Sequence, residues 1–289
     1  MKMALNEVEA DLIEFLSGIT DRPYSDVEAS FADIRRRFRF AGFGYRDLCC
    51  AIHRLFGILY DDRDEAAAIR SYQFHALMHL FRFVSYSYGR SAFGCFDYLK
   101  YATKAVLRGE LRDLYSSVWK RLLAGLSGHK QSKNDAAIAK LLVSEARESP
   151  LVVDYGCGLG YISFEIGRLD SSARIYLLDI DCLTLRFAEF RFRKRGINVE
   201  VIPVMVSEPY PRLPEHNICI ATEVMEHLAQ PLTAYRNICE SLKPGGILYG
   251  EFSDHRREMF HASPDLSELR LRIARDFRPA GVIGYKKTG

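Results

Sequence analysis

Apolar positions change their spacing near residue 150, and the class of structure they predict changes with it. From Leu5 to about residue 147 they recur at helical intervals, with no alternating strand signal. Leu48, Ile52, Leu55, Phe56 and Leu59 share one helical face; Phe74, Leu77, Met78, Phe81 and Val84 share another. Asn6 with Glu9 and Ser25 with Glu28 have capping-box spacing. Glycines and prolines predict breaks near 18–23, 42–44, 89–94, 109 and 125–128. Residues 1–130 are expected to form an all-helical domain of about six or seven helices.

Beyond 145–150 short apolar runs alternate with helical stretches. The predicted strands are 151–154, 174–180, 199–206, 218–221 and 247–252. Between them lie predicted helices at 161–169, 182–195, a short one at 224–228, and 232–242. This order means βαβ units and a parallel sheet covered on both faces. With right-handed crossovers, residues 131–289 predict an α/β, doubly wound sheet.

Composition fits that picture. Of 289 residues, 48% are hydrophobic and 27% charged, the balance of a globular protein. No apolar run reaches membrane-spanning length, and with acids close to the N-terminus no secretory signal is expected there. The net charge of +3 is spread over both halves, which gives no push toward a nucleic-acid partner. Seven cysteines include no C-x-x-C pair, and several sit in apolar runs as reduced thiols do. A cytoplasmic protein without disulfides is expected.

The strongest local signal is Val152-Val153-Asp154-Tyr155-Gly156-Cys157-Gly158-Leu159-Gly160, between the first predicted strand and a helix. Gly156 and Gly158 permit a tight turn and close approach of backbone to a ligand, and the following helix offers free N–H groups. The dinucleotide fingerprint needs a glycine where this chain has Tyr161. Asp154 at the strand end would repel a pyrophosphate but suits a ligand carrying ammonium and sulfonium charges. Asp179 ends the next strand, the usual place for an acceptor of ribose hydroxyls.

These residues resemble the class I S-adenosylmethionine-dependent methyltransferases over about residues 130–289. The first motif matches 152–160, the acid of the second strand matches Asp179, and Leu242-Lys243-Pro244-Gly245-Gly246 matches the turn before the fifth strand. Glu223-Val224-Met225-Glu226-His227-Leu228 resembles an element of the ubiquinone-pathway O-methylating enzymes. His261-Ala262-Ser263-Pro264 with Leu266, Leu269 and Phe277 resembles the helix that follows their fifth strand. Two places depart from the pattern: Val206-Ser207 stands where an acid usually follows the third strand, and Asn217 stands where the fourth strand usually opens with Asp.

The resemblance implies a Rossmann-like methyltransferase sheet with S-adenosylmethionine as cofactor. Gly156, Cys157, Gly158 and Gly160 would line its methionine half, and Asp154 would steady the charged end directly or through the loop. Asp179 would hold the ribose, while Ile180 and Val206 would sandwich the adenine. Methyl transfer is an in-line displacement in which alignment supplies most of the rate. Where the acceptor is a hydroxyl or protonated amine, a base must take its proton. Glu223, Glu226 and His227 are the catalytic candidates, beyond the fourth strand where a doubly wound sheet places its ligands; the plain alternative is that they cap and charge a short helix.

The expected function is methyl transfer to oxygen or nitrogen of a small-molecule acceptor in specialised biosynthesis. Two alternatives stand beside it. Glu223, Glu226 and His227 with His255 or His261 resemble the metal-binding set of small-RNA 2′-O-methyltransferases, although the main reading assigns no metal. A non-catalytic module that binds the cofactor or a partner is the other. His75 and His79, one helical turn apart, are expected to be core or pocket histidines. The aromatic residues at 72–98 can pack on one another, line an acceptor pocket, or form a homodimer face. The run Arg35-Arg36-Arg37-Phe38-Arg39 marks a solvated helix face or an anion-attracting one. Ser132-Lys133-Asn134-Asp135, opening the helix before the first strand, helps close over the cofactor in this family.

Overall fold

The computed structural model describes residues 7–38, 130–146, 148–205, 208–252, 265–280 and 284–288. The helical faces at 48–59 and 74–84, His75, His79 and the aromatic residues at 72–98 lie outside them, as do Val206, His255 and His261–Pro264. The chain divides into two units, Met1–Lys133 and Asn134–Gly289.

In the first unit, α1 (Glu7–Thr20) begins where the Asn6 signal predicts. It runs through Gly18 and stops at Asp21, which takes a left-handed conformation with φ 52°. The Arg22 amide then reaches back to the Ser17 carbonyl at 3.3 Å, a Schellman closure that satisfies an orphan carbonyl. The second start signal needs correction. Helix α2 (Tyr24–Phe38) follows Pro23 directly, whose carbonyl accepts from Asp26 and Val27, so Ser25 lies inside the first turn and is not the cap. Leu12, Ile13 and Leu16 of α1 and Val27 of α2 are buried.

Helix α3 (Lys130–Glu145) leads into the sheet unit. There follow β1 (Leu151–Tyr155), α4 (Tyr161–Leu169), β2 (Arg174–Ile180), α5 (Leu183–Lys194), β3 (Val199–Val204) and β4 (His216–Ala221). After a 3₁₀ turn at Met225–His227 come α6 (Pro231–Ser241), β5 (Leu242–Gly250), α7 (Ser267–Asp276), β6 (Phe277–Ala280) and β7 (Gly284–Lys287). The strand order is β3-β2-β1-β4-β5-β7-β6, with β7 antiparallel to both neighbours and the remaining pairs parallel. The expected α/β doubly wound sheet is present, with its order reversing beside β1.

Alternation divides the core in two. Val153, Tyr155, Tyr176, Leu178, Cys219, Ala221 and Leu248 join one cluster with Ala234, Tyr235 and Ile238 of α6 and Leu269 and Ile273 of α7. Val152, Asp154, Ile175, Leu177, Ile218 and Ile220 point the other way, by their register across β2, β1 and β4. On that side Ser163 of α4 touches Asp154, and the Phe164 and Phe192 rings lock α4 to α5 edge to face at 5.2 Å.

Two sequence readings change in the structure. β5 starts at Leu242, five residues before its predicted start, because Leu242 pairs with His216; the next pair is Ile218 with Ile247. The Lys-Pro-Gly-Gly segment bulges out between those pairs, with Gly245 at φ 73°, so the expected turn lies inside the strand's span. β3 stops at Val204, short of Val206.

Asn217, where the family pattern has Asp, fastens the start of β1. Its Oδ1 accepts from the Leu151 amide at 2.8 Å, and its Nδ2 donates to the Ser149 carbonyl at 3.2 Å. A carboxylate could do only the first. The two short last strands are held by Lys287, whose Nζ donates to the Cys239 and Leu242 carbonyls at 2.6 Å each. Among the described residues no helix is long and apolar enough to cross a membrane, and Cys157, Cys182, Cys219 and Cys239 are free thiols.

Candidate active site

The loop between β1 and α4 is built on the end of β2. The Gly156 and Cys157 amides both donate to the Leu178 carbonyl, at 2.8 and 3.0 Å, and the Gly160 amide closes the turn on the Cys157 carbonyl at 2.7 Å. Gly156, Gly158 and Gly160 all have positive φ, between 52° and 68°. They serve different ends. A Cβ on Gly156 would lie 2.4 Å from Val224 Cγ2, so this glycine lets the loop press on the turn after β4. A Cβ on Gly158 would meet nothing within 4 Å, so its backbone borders open space on the side where a ligand can approach. Gly156 is thus needed for packing within the protein, a division of labour that sequence spacing does not show.

Gly156→Ala should therefore destabilise the protein by about 3 kcal/mol, combining left-handed strain with overpacking. It should also slow catalysis by displacing the turn that carries Glu223 and His227. Denaturant titration and turnover at saturating donor check both effects, and wild-type values in both would contradict the packing argument.

Asp179 sits against the loop rather than beside it. Its Oδ2 accepts from the Gly158 amide and its Oδ1 from the Ile180 amide, each at 2.7 Å. Burial raises its pKa, and these two amides oppose the rise. A carboxylate offers about four lone-pair sites, so about two remain to accept from a ligand's hydroxyls. Ile180 is 37% exposed at the strand end, which leaves its side chain accessible to a flat ring. Its expected partner Val206 lies outside the described residues.

Asp154 is buried, and Ser163 joins it to the loop. The Ser163 hydroxyl donates to Asp154 Oδ2 at 2.5 Å and lies 3.1 Å from the Gly160 carbonyl. Burial raises the Asp154 pKa to about 7; the Ser163 bond opposes this and the charge of Asp179 adds to it. When ionised, Asp154 accepts from Ser163. When protonated, it can donate to Ser163 and turn that hydroxyl onto Gly160. Asp154 is therefore coupled to the loop through Ser163. Sequence reading passed over Ser163, since a serine in the first turn of a helix has no distinguishing mark. Cys157 also lies in the loop; burial first, then Asp179 and Asp154, push its thiol well up, so it is a neutral lining group.

The third candidate group follows β4. Glu223 takes a left-handed conformation with φ 50°, and both it and His227 are exposed, whereas Glu226 is buried on the same 3₁₀ turn. Val224 ties this turn to Gly156, so the glycine loop and the Glu-x-x-Glu-His element are one packed assembly. Among the described residues no three His, Cys, Asp or Glu side chains group to hold a metal; His255 and His261 of the metal reading lie outside them.

The loop fits S-adenosylmethionine: an open cradle over Gly158, a carboxylate with spare acceptors at Asp179, and a titratable buried acid beneath. Residues 148–275 match a family model described as a methyltransferase domain. The ubiquinone biosynthesis O-methyltransferase of Methylobacterium sp. (strain 4-46) is 30% identical over 98 residues, covering 34% of this chain and 39% of that protein. Its counterpart in Yersinia pestis (strain Pestoides F) is 26% identical over 99 residues, covering 34% and 40%. The match thus spans about two fifths of the length of these curated relatives. Among solved structures, a SAM-dependent methyltransferase from Aquifex aeolicus aligns with a TM-score of 0.40 at 19% identity, over 53% of this chain and 89% of that one. A coclaurine N-methyltransferase aligns with a TM-score of 0.35 at 20% identity, over 40% and 35%. Within the sheet unit, residues 148–275 thus form a stretch that matches a methyltransferase domain and is similar to S-adenosylmethionine-dependent methyltransferases.

Proposed function

We propose that this protein transfers a methyl group from S-adenosylmethionine to an oxygen or nitrogen atom of a small-molecule acceptor in a biosynthetic pathway. The observation that carries the reading is the bond from the Gly158 amide to Asp179, which sets an open backbone cradle beside a ribose-binding carboxylate. The O-methyltransferase names of the relatives support oxygen as one acceptor atom. When bound, the cofactor supplies an electrophilic methyl on a cationic sulfur.

The chain's own residues then have separable tasks. Asp179 holds the ribose and, through Gly158, the loop. Ile180 covers the adenine. Asp154 and Ser163 stiffen the loop from beneath. His227, exposed at the strand-end side, takes the acceptor's proton, and Glu223 lies in the same turn to orient the acceptor or the imidazole. Glu226, buried in that turn, holds it in place.

His227→Ala should leave S-adenosylhomocysteine affinity within about twofold of wild type while slowing turnover about 100-fold, within the usual range for a general base. Trials use a panel of phenols, catechols and amines with labelled donor. A variant that turns over at the wild-type rate removes His227 from the mechanism. A wild-type protein that binds the cofactor but methylates none of the panel, while methylating RNA with manganese, favours the metal-dependent alternative.

A further inference from the structure

The turn that carries Glu223 and His227 is held at both ends. At its entry Val224 presses on Gly156 of the glycine loop. At its exit the Gln230 amide donates to the Tyr210 hydroxyl at 2.8 Å. Gln230 is the joint between the turn and α6. Its carbonyl accepts from the Thr233 and Ala234 amides, at 3.0 and 3.4 Å, and so starts the helix. Its own amide lies ahead of Pro231, the first residue of α6, so no carbonyl of that helix serves it. The Tyr210 hydroxyl does.

Tyr210 is itself fixed. It stands in the connection from β3 to β4 and is half-buried. There the Glu208 amide closes a turn on the Met205 carbonyl at 2.9 Å, and the chain then meets α6. Asn237 of that helix donates through Nδ2 to the Tyr210 carbonyl at 2.9 Å and the Pro211 carbonyl at 3.3 Å. The Tyr210 and Leu228 side chains both pack on the core cluster that holds Val224 and Met225 of the turn. The backbone of Tyr210 is thus tied to the body of α6, and its hydroxyl to the residue just before α6. His227 is three residues from Gln230, so a shift of that amide reaches the imidazole along a short length of chain.

We propose that Tyr210 is a positioning residue for methyl transfer: by accepting the Gln230 amide it fixes the exit of the turn, and with it the placing of His227 toward the acceptor. The inference rests on the proposed role of His227 as the base. Alignment governs the rate of an in-line displacement and of the proton transfer that accompanies it. A loosened turn therefore slows the reaction without weakening the donor, whose proposed contacts lie at the glycine loop and Asp179. Removing only the hydroxyl leaves the Tyr210 ring in the core, which separates the bond to Gln230 from the packing.

The test uses the full chain and compares Tyr210→Phe with Tyr235→Phe. Tyr235 of α6 donates its hydroxyl to Asp276 of α7 at 3.0 Å, so its substitution removes a hydroxyl bond from the same helix but none from the turn. Turnover is measured with labelled donor and the fastest acceptor of the phenol, catechol and amine panel, and S-adenosylhomocysteine affinity by calorimetry. Tyr210→Phe should lower kcat about tenfold and leave that affinity within about twofold of wild type. Tyr235→Phe should change neither. In a His227→Ala background Tyr210→Phe should slow turnover no further, because the residue it acts through is gone. A merely structural role would give equal losses for the two tyrosines, or a loss that persists in His227→Ala; either result overturns the proposal. A wild-type kcat in Tyr210→Phe, with His227→Ala slow, overturns this proposal alone. A wild-type rate in His227→Ala, or a wild-type protein that methylates no member of the panel, overturns the proposed function and the role of Tyr210 with it.

Discussion

Replacing Asp179 by Ala should weaken S-adenosylhomocysteine binding about 100-fold or more. The carboxylate orders the loop through the Gly158 amide, and in the proposed function its remaining lone pairs accept from the ribose; the substitution removes both. A hydrogen bond to a charged group is worth about 1.5–3 kcal/mol, so losing the ribose contact together with a loop anchor should cost about 3 kcal/mol. Each 1.4 kcal/mol is a factor of ten in affinity. Asp179→Asn separates the tasks, because the amide oxygen can still accept from Gly158 while the charge is gone, and its loss should be intermediate. The fold should survive, since Gly156 and Cys157 still hold the Leu178 carbonyl. Calorimetric affinity equal to wild type for Asp179→Ala would refute the ribose assignment.

Phe192→Ala should have the largest effect on stability, about 3–5 kcal/mol as for other fully buried aromatic residues cut to Ala. The ring is 0% exposed and meets Phe164 edge to face. It also lies under the loop, where a Cβ on Gly160 would approach it to 3.1 Å. Removing it leaves a cavity between α4 and α5 and takes the floor from under Gly160. Denaturant titration should show the lost stability, and ligand affinity of the remaining folded protein should fall as well. Leu271→Ala is the control, since Leu271 is 72% exposed and should change stability by less than about 0.5 kcal/mol. Equal effects of the two substitutions would contradict the packing described.

The parts of the site that sequence revealed are those fixed by local chemistry. Three glycines in a nine-residue stretch, an acid before them and a helical pattern after them specify a strand, a left-handed loop and a helix whatever surrounds them. The bounds of α4 and β2 follow the apolar pattern for the same reason. The start of β5 was hidden because Pro244, Gly245 and Gly246 read as a turn, and only pairing of Leu242 with His216 draws that segment into the sheet. Ser25 looked like a cap, but Pro23 had already set the first turn of α2.

Side-chain partners across distant segments were not legible. Ser163 meets Asp154 only because α4 folds back over β1, and Val224 meets Gly156 only because β4 lies beside β1.

The chain's own order of residues determined the alternation of strands and helices beyond residue 150, the glycine loop, and the acids that bracket it. These depend on backbone sterics and on the period of apolar positions, which act over a few residues. The tertiary structure decided what each residue touches there: which glycine packs against protein and which borders open space, which acid accepts from the loop's own amides and which meets the loop through Ser163. Those are properties of contacts between segments far apart in the chain, and burial and charge at a site exist only once the segments have met.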